Sequence, residues 1–558
     1  MKLRNKIIAV SLATFMMLPF AACSPNDDDP TKTKLYFGVY DAGTGTESAY
    51  EVGKRFAAKY ADVSFEEGKT GVQVKIVPAK YGTGLEREIA DLTVDVFIGT
   101  SANARFLAGE GLLMDISDVY TKPFAYDFVR KTTDPNGSTM TFKDFLRTDL
   151  QDYYQMDDGK WYGFPDETEY QGIVYDIDLF EEQNLYFAKN GGFVTSKTDE
   201  RSAGPDGDYE TTYDNGLPAT FDDFFTLCDK IVDLEMTPIL WGGNVQEYVS
   251  AMMTALAADV DGKTQTELNY SYSGTATTLI ASFDDNGKPV LADPEPISTQ
   301  NGYLLYKTEG RYYALKFLER LLSNTDYYSS EDATNGQFDH TMAQDEYLLS
   351  KYGEVRERTA MIIEGNWWQK EALGTFEEME GEHAEDSVNE RRFAMMPFPK
   401  ATPEKVGEPF VLLERCVGDG FVNANVPEYK VDLVKAFVQF LFTEESCKKN
   451  LEINGKCRPV NLTLEDEEYN ALTPWGKNSY DLSRNAVTAT MYSKSEIMQV
   501  YSQRLWYSPY LWNSKYGERT YTYPTKAMID DGVSALNYFN GMSTYWTAER
   551  WQDTFKGV

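Results

Sequence analysis

Apolar positions along the first hundred residues switch between two periods. Leu35-Tyr36-Phe37-Gly38-Val39-Tyr40 reads as a strand; a Gly/Thr-rich turn follows, and then Tyr50, Val52, Phe56 and Ala57 recur with helical spacing. Val72 to Val77 alternates as a second strand, Leu85 to Leu92 is helical, and Val94 to Ile98 is a short buried strand ending at Gly99-Thr100-Ser101. Strand, helix, strand, helix, strand predicts a parallel α/β sheet. Ligands in open α/β sheets bind beyond the carboxyl ends of the strands, which singles out Tyr40, Asp41, Thr100 and Ser101. Ordinary βα turns, with Thr and Ser as helix caps, explain each of these residues taken singly just as well.

The pattern continues in the middle of the chain. Trp161 to Phe180 (WYGFPDETEYQGIVYDIDLF) passes through a proline and acidic residues into another strand, Phe221 to Leu234 is amphipathic, and Pro238 to Gly243 is a strand ending in a glycine turn. The next helix, through Met252, Met253 and Leu256, presents Gln246-Glu247-Tyr248 near its start. Ala360-Met361-Ile362-Ile363 is a buried strand that runs into Glu364-Gly365-Asn366-Trp367-Trp368, and Arg392 to Pro397 is a strand closed by proline. Adjacent residues leaving a strand point to opposite sides, so one core can hardly absorb both tryptophans. At least one ring should face something else. Val434, Phe437, Val438 and Leu441 mark a later packed helix. The chain shows no internal repeat.

The N-terminus changes the picture. Lys2, Arg4 and Lys6 precede an apolar run from Ile7 to Phe20, and Ala21-Ala22-Cys23 follows, which is the plan of a secretory signal. Small residues before a cysteine resemble the bacterial lipobox, in which the cysteine is lipidated; a plain secretory signal is the alternative. Residues 1–22 are then a lipoprotein signal peptide, Cys23 the lipidation site, and the acidic stretch to residue 32 a tether. No later run is long and apolar enough to span a bilayer. Removal of the signal takes three cations from 53 basic and 88 acidic residues, leaving a balance of −38. Such a surface repels nucleic acid and anionic headgroups.

Length implies two or more domains. Aromatics are 14% of the chain and include 38 Tyr, a residue suited to presenting a flat apolar face with a polar handle. Only His340 and His383 occur, and no CxxC, so neither a zinc site nor a histidine-dependent triad has material, and no cofactor or metal is expected. The loop Gly204-Pro205-Asp206-Gly207-Asp208 does not complete an EF-hand spacing and reads better as solvated than as a calcium site. Cys447 and Cys457 enclose a short loop and are candidates for a disulfide that spacing alone does not establish.

Taken in order, the segments KLYFGVYDAGTGTESAYEVGKRFAAKY, VDVFIGTSANARFLAGEGLLMDIS, WYGFPDETEYQGIVYDIDLF, GGNVQEYVSAMM, TAMIIEGNWW and KVDLVKAFVQFLFTEESCKKNLEINGKCRPV resemble the extracellular solute-binding proteins of ABC importers, in the sugar-binding branch that includes the maltodextrin-binding proteins. The resemblance implies an α/β, two-lobe, periplasmic-binding-protein-like fold with a hinge and an interlobe ligand cleft. One lobe would combine 33–167 with 410–458 and the other 168–409 with 459–558. It places Glu169 at an acidic ligand position, Glu247 and Tyr248 in the cleft, and Trp367 at a stacking position. Gly99, Ala102 and Asn103 replace family ligand positions, which points away from maltose, and the added mass around 183–220 and 258–340 points to a larger glycan.

A sugar offers an apolar CH-rich face and a belt of hydroxyls. Trp367, Trp368, Trp241, Tyr170 and Tyr248 would supply planes, while Asp41, Glu169, Glu247 and Glu364 would supply acceptors. The expected function is capture of a carbohydrate by an extracytoplasmic, lipid-anchored monomer and its delivery to membrane permease subunits. Hinges are expected near Phe164-Pro165 and Phe410 to Arg415. A secreted glycan-acting hydrolase would also set carboxylates beside aromatics. A surface glycan binder serving a sensor is the other alternative.

Overall fold

The computed structural model describes residues 28–556 apart from 42, 79–93, 101–103, 354, 416–417 and 507–511. The predicted signal, Cys23, Ser101, Ala102, Asn103 and the helix expected over 85–92 lie outside the described residues. The chain first forms β1 (Thr33–Val39), α1 (Glu47–Lys59), β2 (Val72–Pro78), β3 (Val96–Thr100), α2 (Thr148–Tyr154) and β4 (Gly163–Pro165). It then crosses into β5 (Gln171–Asp176), α3 (Phe221–Asp233), β6 (Thr237–Leu240), α4 (Gln246–Asp261), α5 (His340–Leu349), β7 (Thr359–Gly365), β8 (Phe393–Met396) and β9 (Val411–Glu414). It returns for β10 (Gly418–Val422), α6 (Glu428–Leu441) and α7 (Glu444–Asn454), and crosses once more to reach β11 (Val487–Thr490).

Two sheets result. The first has the order β2-β1-β3-β10-β4, with β1 parallel to β2 and β3 and with β10 antiparallel to its neighbours. The second has the order β8-β5-β7-β6, in which β7 is parallel to β6 and antiparallel to β5. Every residue of β5, β7 and β8 is buried, as expected where both faces of a sheet are covered. Each sheet anchors its own core: Leu35, Phe37, Phe56, Val96 and Phe437 in the first, and Ile173, Val174, Ile362, Met395 and Trp368 in the second. These are two α/β lobes.

Packing moves the expected boundaries. The apolar run of β9 pairs in parallel with β11 and joins the second core through Val411, Leu412 and Leu413, so the first lobe resumes only after residue 415 rather than at 410. Val460, Leu462 and Leu472 remain in the first core, and the second lobe is re-entered at Trp475 rather than at 459. In each case apolar side chains, not crossover positions, decide which core the backbone serves.

The three crossings lie side by side. Thr168 donates its amide to Cys457 O at 2.8 Å, Arg415 donates its amide to Glu169 O at 2.8 Å, and Asn366 Nδ2 donates to Thr168 O at 2.9 Å. Between them the Lys456 ammonium, 1% exposed, is held by Glu167 at 2.7 Å and Glu169 at 3.2 Å. Burial opposes its charge, but the two carboxylates more than offset that and raise its pKa. Cys447 and Cys457 are free buried thiols, so the disulfide considered from their spacing is not formed, and desolvation pushes both up to about 12. Among the described residues, no helix is long and apolar enough to cross a membrane and no group of acidic, His or Cys side chains is arranged to hold a metal.

Removing the cation would strand two buried carboxylates at the hinge. Lys456→Met should therefore cost about 3–5 kcal/mol, read as a lower urea midpoint, whereas an unchanged midpoint would mean that water already screens the pair.

Candidate functional site

Strands β6 and β7 run parallel and end together, so their carboxyl ends form one rim of the second lobe. Gly242 and Gly243 lead from β6 to α4; a Cβ on Gly243 would sit 1.8 Å from Asp332 O, so only glycine lets the loop before α5 close on this rim. Four segments then converge: the start of α4 brings Tyr248, α5 brings His340 and Gln344, the end of β7 brings Glu364, and the turn after it brings Trp367 and Glu371.

The adjacent tryptophans separate at this turn. Trp368 is wholly buried, edge-on to Phe393 at 5.1 Å and to Trp475 at 5.9 Å. Trp367 turns the other way, edge-on to Tyr248 at 5.9 Å and with the Arg415 guanidinium 5.8 Å from its ring. Trp368 joins the second core, while Trp367, only 6% exposed, lies outside that core at the rim.

Beside Trp367 lies a linked polar group. Gln344 Nε2 donates to Glu364 Oε1 at 3.1 Å and to Glu371 Oε2 at 2.7 Å, and His340 Nε2 lies 3.3 Å from Glu371 Oε1. Desolvation, followed by the Glu371 charge, pushes the Glu364 carboxyl up to about 8, so at neutral pH this pair favours holding a proton. Burial opposes the His340 proton, but the hydrogen bond and charge of Glu371 outweigh it and raise the His340 pKa. Burial and the same two carboxyls keep the Tyr248 hydroxyl protonated. The group can offer hydroxyl donors and acceptors beside an aromatic wall.

The first lobe meets this rim through the loop after β1. The Tyr40 amide donates to Ile98 O at 3.0 Å, and the exposed Asp41 accepts from the Gly45 amide at 2.9 Å. Gly43 has φ +80°, and a Cβ there would lie 2.9 Å from Glu371 Oε1, so first-lobe backbone rests directly on the second lobe. Thr100 ends β3 on the same side. Behind the loop, Tyr40, Thr44, Ser48, Asp166, Asn454 and Arg458 line a polar cavity of about 40 Å³, room for a few waters at most.

Other residues singled out from the sequence are occupied elsewhere. Glu169 holds Lys456 in the hinge, and Tyr170, also buried there, donates its hydroxyl to Ser479 Oγ at 3.3 Å. Trp241 stacks on Tyr328 at 5.2 Å and donates Nε1 to Ala333 O at 3.0 Å inside the second core. Glu247 accepts from the Tyr523 hydroxyl, one residue around α4 from Tyr248. Sequence reasoning missed His340, Gln344, Glu371 and Arg415. The available signal was spacing: His340 and Gln344, like Trp367 and Glu371, stand four apart on a helical face.

Two α/β lobes joined by three crossings, with polar and aromatic side chains at the strand ends between them, define a two-lobed binding-protein fold. The family model described as bacterial extracellular solute-binding protein matches residues 61–474, and the chain belongs to that family, which places it outside the cytoplasm. Among solved structures, a chitin oligosaccharide binding protein superposes with TM-score 0.53 and 13% identity over 94% of this chain and 100% of its own. A maltose-bound MalE3 from T. maritima gives 0.51 and 13% over 94% and 100%, and a structure from work on xylan utilization by Caldanaerobius polysaccharolyticus gives 0.52 and 12% over 92% and 100%. At such identities the likeness is one of fold. A comparison with curated proteins finds no match.

The Glu364 carboxyl keeps its proton to about pH 8 when folded, whereas in the unfolded chain it loses it near pH 4.3. The folded state binds more protons across that window, so this group's contribution to stability declines as pH rises from about 4.3 to 8 and is level above. Glu364→Gln should flatten the melting profile between pH 5 and 8 and stabilise the protein at pH 8 by up to about 4 kcal/mol. Parallel profiles for the two proteins would show that Glu364 ionises normally.

Proposed function

We propose that the protein is the substrate-binding component of an ABC importer, capturing a carbohydrate, most simply an oligosaccharide, between its lobes for delivery to a membrane permease. The observation that carries the reading is the Trp367 rim: an indole beside Tyr248, adjoining carboxyls and an amide at the ends of β6 and β7. The indole suits the CH face of a pyranose, and the Gln344-linked carboxyls suit its hydroxyls. Family membership and fold neighbours whose titles name chitin oligosaccharide and maltose support it.

In this reading Tyr40, Asp41, Thr100 and Ser101 serve from the first lobe, and Tyr248, Glu364 and Trp367, joined by His340, Gln344 and Glu371, serve from the second. Ligand bridges the rims and favours the closed arrangement by binding it more tightly than the open one. The binding protein makes and breaks no covalent bond. Lipidation at Cys23 and the acidic tether would hold the monomer near the permease.

The test is thermal denaturation of the chain from Ser24 against a panel of mono- and oligosaccharides, with each sugar assayed for turnover in the same wells. A sugar that binds the native state raises the melting point. We expect a shift with intact sugar. In Trp367→Ala the affinity should fall at least tenfold, about 1.4 kcal/mol, and because the indole is 6% exposed the free protein should also melt lower; Trp368→Ala should lower the free protein's stability by about 3–5 kcal/mol while leaving the affinity of the folded protein close to wild type. Consumption of sugar would make the protein an enzyme, and no shift with any glycan would remove the substrate class.

A further inference from the structure

The lobes also touch away from the Trp367 rim, through a segment that lies beyond the family match at residue 474. Helix α2 belongs to the first core through Leu150 and Tyr154. Its neighbours, however, come from the second lobe. Tyr153 lies edge-on to Tyr492 with ring centroids 4.8 Å apart, Tyr154 lies 6.1 Å from the same ring, and Tyr492 packs against both hydrophobic cores. Two residues on, Lys494 Nζ donates to Asp152 Oδ1 at 3.1 Å.

A buried ion pair adjoins this contact. Arg147, just before α2, meets Glu414 at 2.5 Å and Asp149 at 2.9 Å. Glu414 is wholly buried at the end of β9, and β9 pairs with β11, whose chain continues into Tyr492. Tyr154 donates its hydroxyl to Asp419 Oδ1 at 2.5 Å in β10, just beyond the crossing. The contact therefore joins β9, the last strand of the second lobe before this crossing, to the α2–β10 side of the first lobe.

We propose that residues 487–494, with Tyr492 at their centre, form an interlobe clamp with α2 that favours the arrangement in which Gly43 rests on Glu371. Contacts made in one lobe arrangement and lost in another bias the equilibrium by their own free energy, whatever the ligand. Of its parts, the exposed Lys494–Asp152 pair contributes little, since water screens it. The Tyr492 ring and the Arg147–Glu414 pair carry the clamp. Its effect on affinity rests on the reading of the cleft as the ligand site, but its effect on lobe angle does not.

Small-angle scattering of the ligand-free chain, with circular dichroism to confirm the fold, separates the two. Tyr492→Ala should raise the radius of gyration above wild type, and Tyr492→Phe, which keeps the ring, should restore it. Arg147→Met with Glu414→Gln removes both buried charges together and should shift scattering in the same direction. If that double variant does not fold, the half-buried Tyr492 pair decides alone. Superimposable curves for folded wild type and Tyr492→Ala would overturn the clamp. A sugar panel without any hit would leave the scattering result standing, and for a sugar that does bind, Tyr492→Ala should weaken it several-fold without abolishing it.

Discussion

The buried ammonium of Lys456 is the contact on which the two-lobe arrangement turns. It sits between Glu167 and Glu169, and Asn450 and Asn454 donate to the other Glu167 oxygen, Oε1, at 2.7 and 2.6 Å. A charge in so dry a place persists only when its partners are fixed, and these partners belong to a different crossing from Lys456 itself. The ion pair thus ties the first and last passages of the chain together, and Arg415 joins the middle passage by its amide to Glu169.

The rim of the second lobe follows from topology and one turn. Parallel β6 and β7 bring their carboxyl ends to one side, and the turn Glu364-Gly365-Asn366-Trp367-Trp368 distributes three jobs over consecutive residues. Asn366 bonds to the crossing through Thr168 and Tyr170, Trp368 fills the core, and Trp367 stays at the rim. The site is coupled to the hinge because one short stretch of backbone serves both.

Polar groups gather at this rim and share partners, with the Gly365 amide and His340 completing the set around Glu364 and Glu371. One Gln344 amide serves two carboxyls, and the resulting repulsion, added to burial, is what makes Glu364 retain its proton.

By itself, the sequence determined the elements and the class. Strands at 33–39, 72–78, 359–365 and 393–396 and helices at 221–233, 246–261 and 428–441 were legible because their apolar periods are local. The divergence of Trp367 from Trp368 was expected from strand alternation, but both lie past the strand in the helical turn after it, where packing sends one ring into the core and the other against Tyr248. Tertiary structure decided which side chains were free to act. Glu169 and Trp241 have residue types suited to a sugar, yet one neutralises a lysine 287 residues away and the other donates to Ala333 in the core, while His340, Gln344 and Glu371 reach the rim from helices with no motif of their own. Period and propensity depend on near neighbours, whereas the pairing of a charge or a ring depends on contacts that exist only once distant segments have packed.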